Sequence, residues 1–367
     1  MKAMKRIERV RELLANNNLD AIVVRNNSDL MWLTGFEGVF DTEQAHVAIV
    51  THDVCVLHTD SRYVTAMNSC AQAEGIWQID ASRMREPQFV AEAFRELKLV
   101  TGRIAIDTSM PLATYRAYSD AMPNARFKER AGDILALRSV KDTEEVKLLK
   151  AAQQIATDAF TETLAHMQAG MTEREVSLEL EFNMRRRGAD ELAFANIIAS
   201  GPNSANPHAI PTERRLRHGD MVVFDFGARA AGYRSDTTRT VCIGEPSLEQ
   251  QRIYNAVLDA NRAVREALKP GVTGAQMHKL AEEVLASAGY ENCMGHALGH
   301  GVGIDIHESP VLGPSNEKPL VVGNVVTDEP GIYIPGKDGV RIEDCGVITE
   351  TGFDNFCSLT HELQVVS

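Results

Sequence analysis

Five stretches of this 367-residue chain combine carboxylates, imidazoles and glycines in ways that invite chemistry. The loop Ser200–His208, SGPNSANPH, is rich in Gly, Pro and Asn and ends on His208, which alone reads as a surface-loop histidine. In Asp220–Gly227, DMVVFDFG, Asp225 interrupts an apolar strand, and a charge buried there costs several kcal/mol unless it is paired or bound to metal. Eleven residues on, Asp236 lies in Tyr233–Arg239, YRSDTTR. Two antiparallel strands joined by a turn over Ala228–Gly232 would bring Asp225 and Asp236 side by side. Such like charges need a cation between them, or they need Arg234 and Arg239 as neutralising partners; these residues alone leave both open. The third stretch, Gly295–Glu308, GHALGHGVGIDIHE, carries His296, His300 and His307 within twelve residues. Its glycines allow close backbone approach, and imidazole is the commonest metal ligand near neutral pH. An HExxH zincin motif is absent. The last two, VTDEPGIY and GVRIED, set Glu329 and Glu343 on strands beside apolar neighbours.

A lone strand glutamate usually faces water, and a lone loop histidine usually does nothing. Taken together, strand carboxylates plus a histidine form a ligand set for divalent metals such as Mn²⁺, Co²⁺ or Zn²⁺. Four carboxylates and a histidine exceed what one ion needs. Two ions sharing bridging carboxylates, roughly 3.5–4 Å apart around a water, is the better count.

The elements that must position these residues fall into two parts. In the first third, Ile7, Val10, Leu13 and Leu14 recur at helical spacing, Ala21–Val24 is a short strand, and His46–Val50 with Val54–Leu57 reads as a hairpin. An amphipathic helix over Val90–Leu97 and a strand over Arg103–Asp107 follow. Strands alternating with helices imply an α/β layer. A boundary falls near Leu135–Lys141, giving domains at 1–134 and 135–367. Beyond it, helices are expected over Thr143–Met167, Thr172–Arg187, Ser247–Leu268 and Thr273–Ala288. Thr172 with Glu175 fits a capping box. Strands are expected at Asn196–Ser200, Met221–Phe226, Tyr233–Cys242, Val325–Pro330, Gly331–Ile334 and Glu343–Ile348. Two helices then strands, twice over, hint at an internal duplication.

Composition narrows the function classes. Hydrophobic residues make up 44% and charged residues 24%, the balance of a soluble globular protein, which excludes disordered and collagenous chains. The net charge of −13 lacks the basic footprint of a nucleic-acid binder. Residues 1–130 carry 16 basic and 17 acidic side chains, against 22 and 34 in residues 131–367, so the acidity sits in the part that holds the candidate ligands. Six scattered cysteines without a CxxC pair read as reduced thiols of a cytoplasmic protein. Met1–Val10 runs into charge and not into an apolar stretch, so no secretory leader is expected, and no apolar run reaches the roughly 20 residues of a membrane span.

In their order, SGPNSANPH, VFDFG, YRSDTTRT, GHALGHGVGIDIHE, DEPGIY and VRIEDCGVIT resemble the pita-bread metallopeptidases, in the proline-specific branch of Xaa-Pro dipeptidase (prolidase) and aminopeptidase P. The resemblance spans essentially the whole chain. It implies an α/β N-terminal domain followed by an α+β pita-bread catalytic domain, and hydrolysis of the peptide bond before proline by two divalent metal ions, with Mn²⁺ favoured over Co²⁺ or Zn²⁺. It further implies that Asp225 binds one ion, that His300 and Glu329 bind the other, and that Asp236 and Glu343 bridge. His208 and His307 match active-site histidines that are not ligands; Glu329 is in addition read as a carboxylate that could shuttle a proton from water to the leaving nitrogen. His296 matches a histidine beside the proline pocket, and Arg341 an arginine that orients a ligand carboxylate.

Two positions depart from the family pattern. Val311 stands where many prolidases carry an arginine that clamps the dipeptide carboxylate, and Asp328 stands where an apolar residue is common. The first weakens the dipeptidase reading against aminopeptidase P; the dipeptidase is still favoured. The resemblance also implies a homodimer acting on small peptides with proline second. A metal-free creatinase-like C–N hydrolase and a non-catalytic binding module are remote alternatives, because all five ligand positions are filled.

Overall fold

The computed structural model describes residues 2–129 and 131–366. It divides into two compact units, Met1–Arg138 and Ser139–Ser367. The first unit runs α1 (Lys2–Asn16), β1 (Ala21–Val24), α2 (Asn27–Thr34), β2 (Val47–Thr51), β3 (Cys55–His58), α3 (Val64–Glu74), β4 (Gln78–Asp80), α4 (Glu86–Glu96), β5 (Arg103–Ile106), α5 (Leu112–Ala121) and β6 (Arg126–Glu129). Helix α6 (Ala131–Ser139) carries the chain across the division. The strands form one mixed sheet in the order β4-β3-β2-β1-β5-β6. Ile7, Val10 and Leu14 of α1 are fully buried, as their helical spacing predicts, whereas Leu13 is only half-buried. The expected hairpin is β2–β3, closed where Thr51 Oγ1 accepts the Val54 N–H at 2.9 Å.

The second unit opens with α7 (Thr143–His166) and α8 (Glu173–Arg186). Both begin with capping boxes, Asp142 with Glu145 and Thr172 with Glu175. Then come β7 (Glu191–Leu192), β8 (Ile197–Ser200), a 3₁₀ turn over Gly201–Ala205, β9 (Met221–Phe226), β10 (Ala228–Ala230), β11 (Tyr233–Arg234) and β12 (Thr237–Ile243). The second helix pair is α9 (Leu248–Ala267) and α10 (Gly274–Ser287), again with capping boxes, at Ser247 and Thr273. The chain ends with β13 (Gly299–Gly301), β14 (Glu308–Leu312), β15 (Val325–Asp328), β16 (Gly331–Tyr333), β17 (Gly339–Arg341), β18 (Asp344–Ile348), β19 (Phe353–Asn355) and β20 (Gln364–Val366). The order of elements therefore repeats, helix pair then strands, in both halves of this unit. Among the described residues no helix is long and apolar enough to cross a membrane.

Two sheets carry the candidate ligands. One runs β20-β12-β9-β8, the other β14-β13-β15-β18-β19. Alternation along β9 sends Val222, Phe224 and Phe226 into the core beneath α7 and α8, where Phe160 stacks on Phe226 at 5.1 Å. Asp225 consequently points to the other face. The same alternation along β12 sends Val241 and Ile243 into that core and leaves Thr238 and Thr240 beside Asp225.

The strand expectations need three corrections. Asp225 pairs across the ladder with Thr238, so Asp236 is its diagonal and not its direct neighbour. The expected Ala228–Gly232 turn is tighter: Ala228–Ala230 pairs back on Tyr233–Arg234, and only Ala231 and Gly232 turn, both with positive φ. Glu329 and Glu343 are not inside strands. They lie in facing breaks, one between β15 and β16, the other between β17 and β18.

Candidate active site

Each candidate carboxylate apart from Asp225 sits where a strand stops pairing with its neighbour. Asp236 occupies the gap between β11 and β12. Gly227 makes this gap possible, because a Cβ there would stand 2.0 Å from the Ser235 carbonyl oxygen. At the two glutamate breaks the backbone bonds elsewhere. The Glu329 N–H donates to Leu298 O at 2.9 Å and the Glu343 N–H to Thr238 O at 3.1 Å. These bonds tie the β15–β18 ribbon to the segment before β13 on one side and to β12 on the other. Gly299 lets β13 press on β15, since a Cβ would lie 2.1 Å from Thr327 O. His300, between Gly299 and Gly301, is thereby brought to the carboxylates.

One cavity of about 650 Å³ is lined by Asp225, Asp236, His300, Glu329, Glu343, Arg341, His208, His296 and His307. Every site residue expected from the sequence is thus at one place. Asp236, His300 and Glu343 offer ligand atoms within 4.8 Å of one another. His300 Nε2 lies 3.4 Å from carboxylate oxygens of both Asp236 and Glu329. Its Nδ1 lies 3.1 Å from Gly301 O and donates to it, which leaves the Nε2 lone pair facing those oxygens. Thr238 Oγ1 donates to Glu343 Oε2 at 2.8 Å and Thr327 Oγ1 to Glu329 Oε1 at 3.2 Å.

The electrostatics are those of a cation site. Burial, then the charges of Asp225 and Glu329, push the Asp236 carboxyl well above the usual carboxylate range. Glu343 is raised by burial and by Asp236, Glu329 and Asp225. Glu329 is raised by burial, against the pull of His296 and Arg341. Asp225 Oδ1 is buried without a hydrogen-bond partner, while its Oδ2 accepts from Arg341 Nη2 at 2.7 Å. An orphaned carboxylate oxygen, a lone pair aimed at carboxylates and four clustered acids beside one arginine all fit a bound divalent metal. Oxygen ligands with one imidazole suit Mn²⁺, Co²⁺ or Zn²⁺.

Arg234 and Arg239 do not neutralise the aspartates. Arg234 donates to the carbonyls of Ala193 and Ile304. Arg239, fully buried, pairs with Asp344 at 2.9 Å. The acidic residue at Asp328 stays out of the cavity: it is fully buried and takes Asn261 Nδ2 at 3.2 Å. Burial and Asp344 raise its carboxyl well above the usual range.

The histidines divide into two kinds. His208 and His307 are exposed at the cavity, and the His307 ring meets His300 edge to face at 4.4 Å. Burial, followed by His300 and His208, lowers the His307 pKa and favours neutral imidazole. His296 is held from both ends, with Nδ1 2.7 Å from Ala297 O and Nε2 3.0 Å from the Tyr333 hydroxyl. That hydroxyl in turn accepts from Arg341 Nη1 at 2.7 Å. The chain Asp225–Arg341–Tyr333–His296 therefore runs behind the cavity. Tyr333 has no role in the sequence reading, although the DEPGIY motif contains it. Its only signal there is that Gly331 and Tyr333 share one face of a strand, and that face turns out to oppose Arg341.

Comparison with known proteins shows the family. The family model for metallopeptidase family M24 matches residues 147–350, and that for the creatinase/prolidase N-terminal domain matches residues 6–140. An Xaa-Pro dipeptidase of Pyrococcus horikoshii is 31% identical over 359 residues, covering 98% of each chain. Among solved structures, an Xaa-Pro dipeptidase from Bacillus anthracis superposes with a TM-score of 0.92 at 36% identity, covering 99% of this chain and 100% of the other. An X-Pro aminopeptidase from Thermotoga maritima superposes at 0.87 with 33% identity, covering 98% and 100%. Divalent metal ions follow from the family and from the carboxylate–imidazole cluster alike. The chain belongs to metallopeptidase family M24, with a creatinase/prolidase N-terminal domain ahead of a pita-bread catalytic domain.

Proposed function

We propose that this enzyme is a dinuclear-metal Xaa-Pro dipeptidase. The observation that carries the reading is the single cavity in which four carboxylates and His300 face an apolar wall of Phe194, Ile197, Ala297 and Ile306. In this reading Asp225 would hold one ion, His300 and Glu329 would hold the second, and Asp236 and Glu343 would be shared between them. Mn²⁺ is the favoured metal, with Co²⁺ or Zn²⁺ as alternatives. When bound, divalent metal there would supply a water of lowered pKa and polarisation of the scissile carbonyl.

The protein supplies the rest. The scissile bond joins the carbonyl carbon to the proline ring nitrogen, a tertiary amide with no N–H, so recognition rests on the shape of the ring, and the apolar wall receives it. His208 and His307 donate hydrogen bonds to the substrate and to the oxyanion that develops as water adds to the carbonyl carbon. Each such donor is worth roughly 10²–10³ in rate. As the C–N bond breaks, Glu329 passes the proton taken from water to the proline nitrogen, which leaves as a secondary amine. Arg341 keeps Asp225 oriented through the bond described above. The proposal includes a cytoplasmic homodimer.

One observation favours a second reading, an aminopeptidase P acting on longer peptides. Val311 lines the cavity, where it is 45% exposed. Arg341 is the one Lys or Arg among the described lining residues, and it is engaged by Asp225 and Tyr333. A dipeptide's free carboxylate thus meets no spare guanidinium or ammonium among the described lining residues. A paired assay on Mn²⁺-loaded protein separates the readings. Cleavage of an Xaa-Pro dipeptide with the Xaa-Pro-Xaa tripeptide untouched supports the dipeptidase. The reverse supports the aminopeptidase. Cleavage of neither, with two metals bound, refutes both.

A further inference from the structure

The histidine that donates to the substrate in the proposed reaction sits on a loop held in its middle at Ser204, which donates to Gly201 O and accepts from Gly339 N, and near the histidine by a long 3.4 Å bond from Arg341 Nη1 to Pro207 O. His208 is exposed, and the bond nearest its ring is from its own backbone N–H to Asn206 Oδ1, long at 3.4 Å. Behind the loop lies Glu173, the first residue of α8, with no exposed surface at all. Neither the motifs nor the cavity lining includes it.

Among the described residues the Glu173 carboxylate has no cationic hydrogen-bond partner and binds only the two ends of this loop. Its Oε1 accepts from Ser200 N at 2.7 Å, Ser200 Oγ at 2.7 Å and Asn203 Nδ2 at 3.1 Å. Its Oε2 accepts from Asn203 Nδ2 at 2.9 Å, Thr212 N at 2.9 Å and Thr212 Oγ1 at 2.6 Å. Five donor groups thus saturate the roughly four lone-pair directions of one carboxylate. Burial alone would push the Glu173 carboxyl up, but the bonds from Thr212 and Ser200 outweigh it and hold the group below the usual range. Ser200 is braced from behind by Arg214, which grips Asp220 with two bonds of 2.6 and 2.8 Å. His208 lies between Asn203 and Thr212, so both roots of its span converge on one side chain.

We propose that Glu173 is a positioning residue for His208, fixing both ends of the 200–212 loop so that the imidazole stays at the cavity. The proposal rests on the role given to His208 above. It needs the ionised carboxylate and not merely a buried polar group. The amide of Glu173→Gln would keep one acceptor oxygen and turn an NH₂ toward donors that already point inward.

The test is a double-mutant cycle on the metal-loaded enzyme, using E173Q, H208A and E173Q/H208A with a substrate that the parent cleaves. E173Q is expected to lower kcat on the order of 10–100-fold with KM nearly unchanged, since a misplacement of about 1 Å can cost 10² in rate. In the H208A background the same substitution is expected to lower kcat less than about twofold, because the group it positions is gone. Bound metal, measured by elemental analysis, stays at the parental level in all three. An equal loss of kcat with and without His208, or loss of metal from E173Q, overturns the proposal and leaves Glu173 a general structural residue. Full activity of H208A alone overturns instead the role of His208. If E173Q does not fold, N203A removes two of the contacts from the half-buried side, and the same cycle is read with it.

Discussion

Lys141 and Glu308 form an ion pair of 3.1 Å with side chains only 1% and 2% exposed. The pair matters because Glu308 follows His307, and its other oxygen accepts the Asp305 N–H at 2.9 Å, closing the turn that presents that histidine. Consider Lys141→Met. The ammonium disappears and the Glu308 carboxylate loses this partner in a place where water does not reach it. Breaking a buried pair from one side costs roughly 3–5 kcal/mol. At about 2–4 °C per kcal/mol for a unit of this size, the melting temperature should fall by roughly 6–20 °C. Glu308→Leu should cost a similar amount, because it strands the ammonium and takes away the acceptor of the Asp305 N–H. The double variant K141M/E308L removes both charges. Apolar replacement of a whole buried pair is often neutral, so most of the loss should return, less about 1–3 kcal/mol for the Asp305 N–H. Thermal melts followed by circular dichroism at fixed metal concentration supply the numbers, with kcat measured alongside. If K141M melts within about 2 °C of the parent, the pair is not desolvated as drawn, since its loss would then be worth no more than an exposed bridge. If the double variant is as unstable as either single one, packing and not stranded charge sets the cost.

Three further outcomes follow from the same geometry. Asp236→Asn and Glu343→Gln should each lower bound metal below two ions per chain and abolish hydrolysis; unchanged metal content by elemental analysis would remove both residues from the ligand set. Tyr333→Phe deletes the hydroxyl shared by Arg341 and His296, at about 1–3 kcal/mol for each buried group left short of a partner, and should lower both melting temperature and kcat; parental values of both would show that this hydroxyl holds neither. In the N-terminal unit, His46 is buried against Phe40 and Tyr63, and burial lowers its pKa despite the nearby charges of Asp41 and Asp60. The unfolded chain therefore binds a proton first as pH falls, so this contribution to stability is present above the unfolded value of about 6.5 and is lost below it. His46→Gln should flatten the fall of melting temperature between roughly pH 7 and pH 5, and an unchanged slope would assign the proton uptake elsewhere.

How well the sequence could be read depended on how far apart the interacting residues lie. The capping box of Thr172 and Glu175 spans three residues, so composition and spacing were enough to start α8 in the right place. The amphipathic stripe of α1 is equally local, and it puts Ile7, Val10 and Leu14 on the buried face. The motif residues were visible one by one because a carboxylate in an apolar strand, or histidines laced with glycine, is chemically odd at its own position. What spacing could not say is which charge answers which. Arg234 and Arg239 are the nearest cations to Asp236 in sequence and neutralise nothing in the cavity, whereas Arg341, 116 residues beyond Asp225, does.

The breaks in the strands show why. A strand that continues must alternate its side chains, so it can aim a residue only at one of two faces. Asp236, Glu329 and Glu343 escape that limit because each sits where pairing stops and the backbone switches partner, as the Glu343 N–H does in bonding to Thr238 O of another sheet. Hydrophobic pattern predicts where a strand runs, and at its end it is silent about the direction the chain takes next. That direction is set by contacts such as Thr238 Oγ1 to Glu343 Oε2, across 105 residues. The same holds for Glu173, which looks in sequence like an ordinary acidic residue in the first turn of a helix and is recognisable only once Ser200, Asn203 and Thr212 close on it. A site assembled at strand ends and loop roots announces its ligands in the sequence, and it hides the residues that aim them.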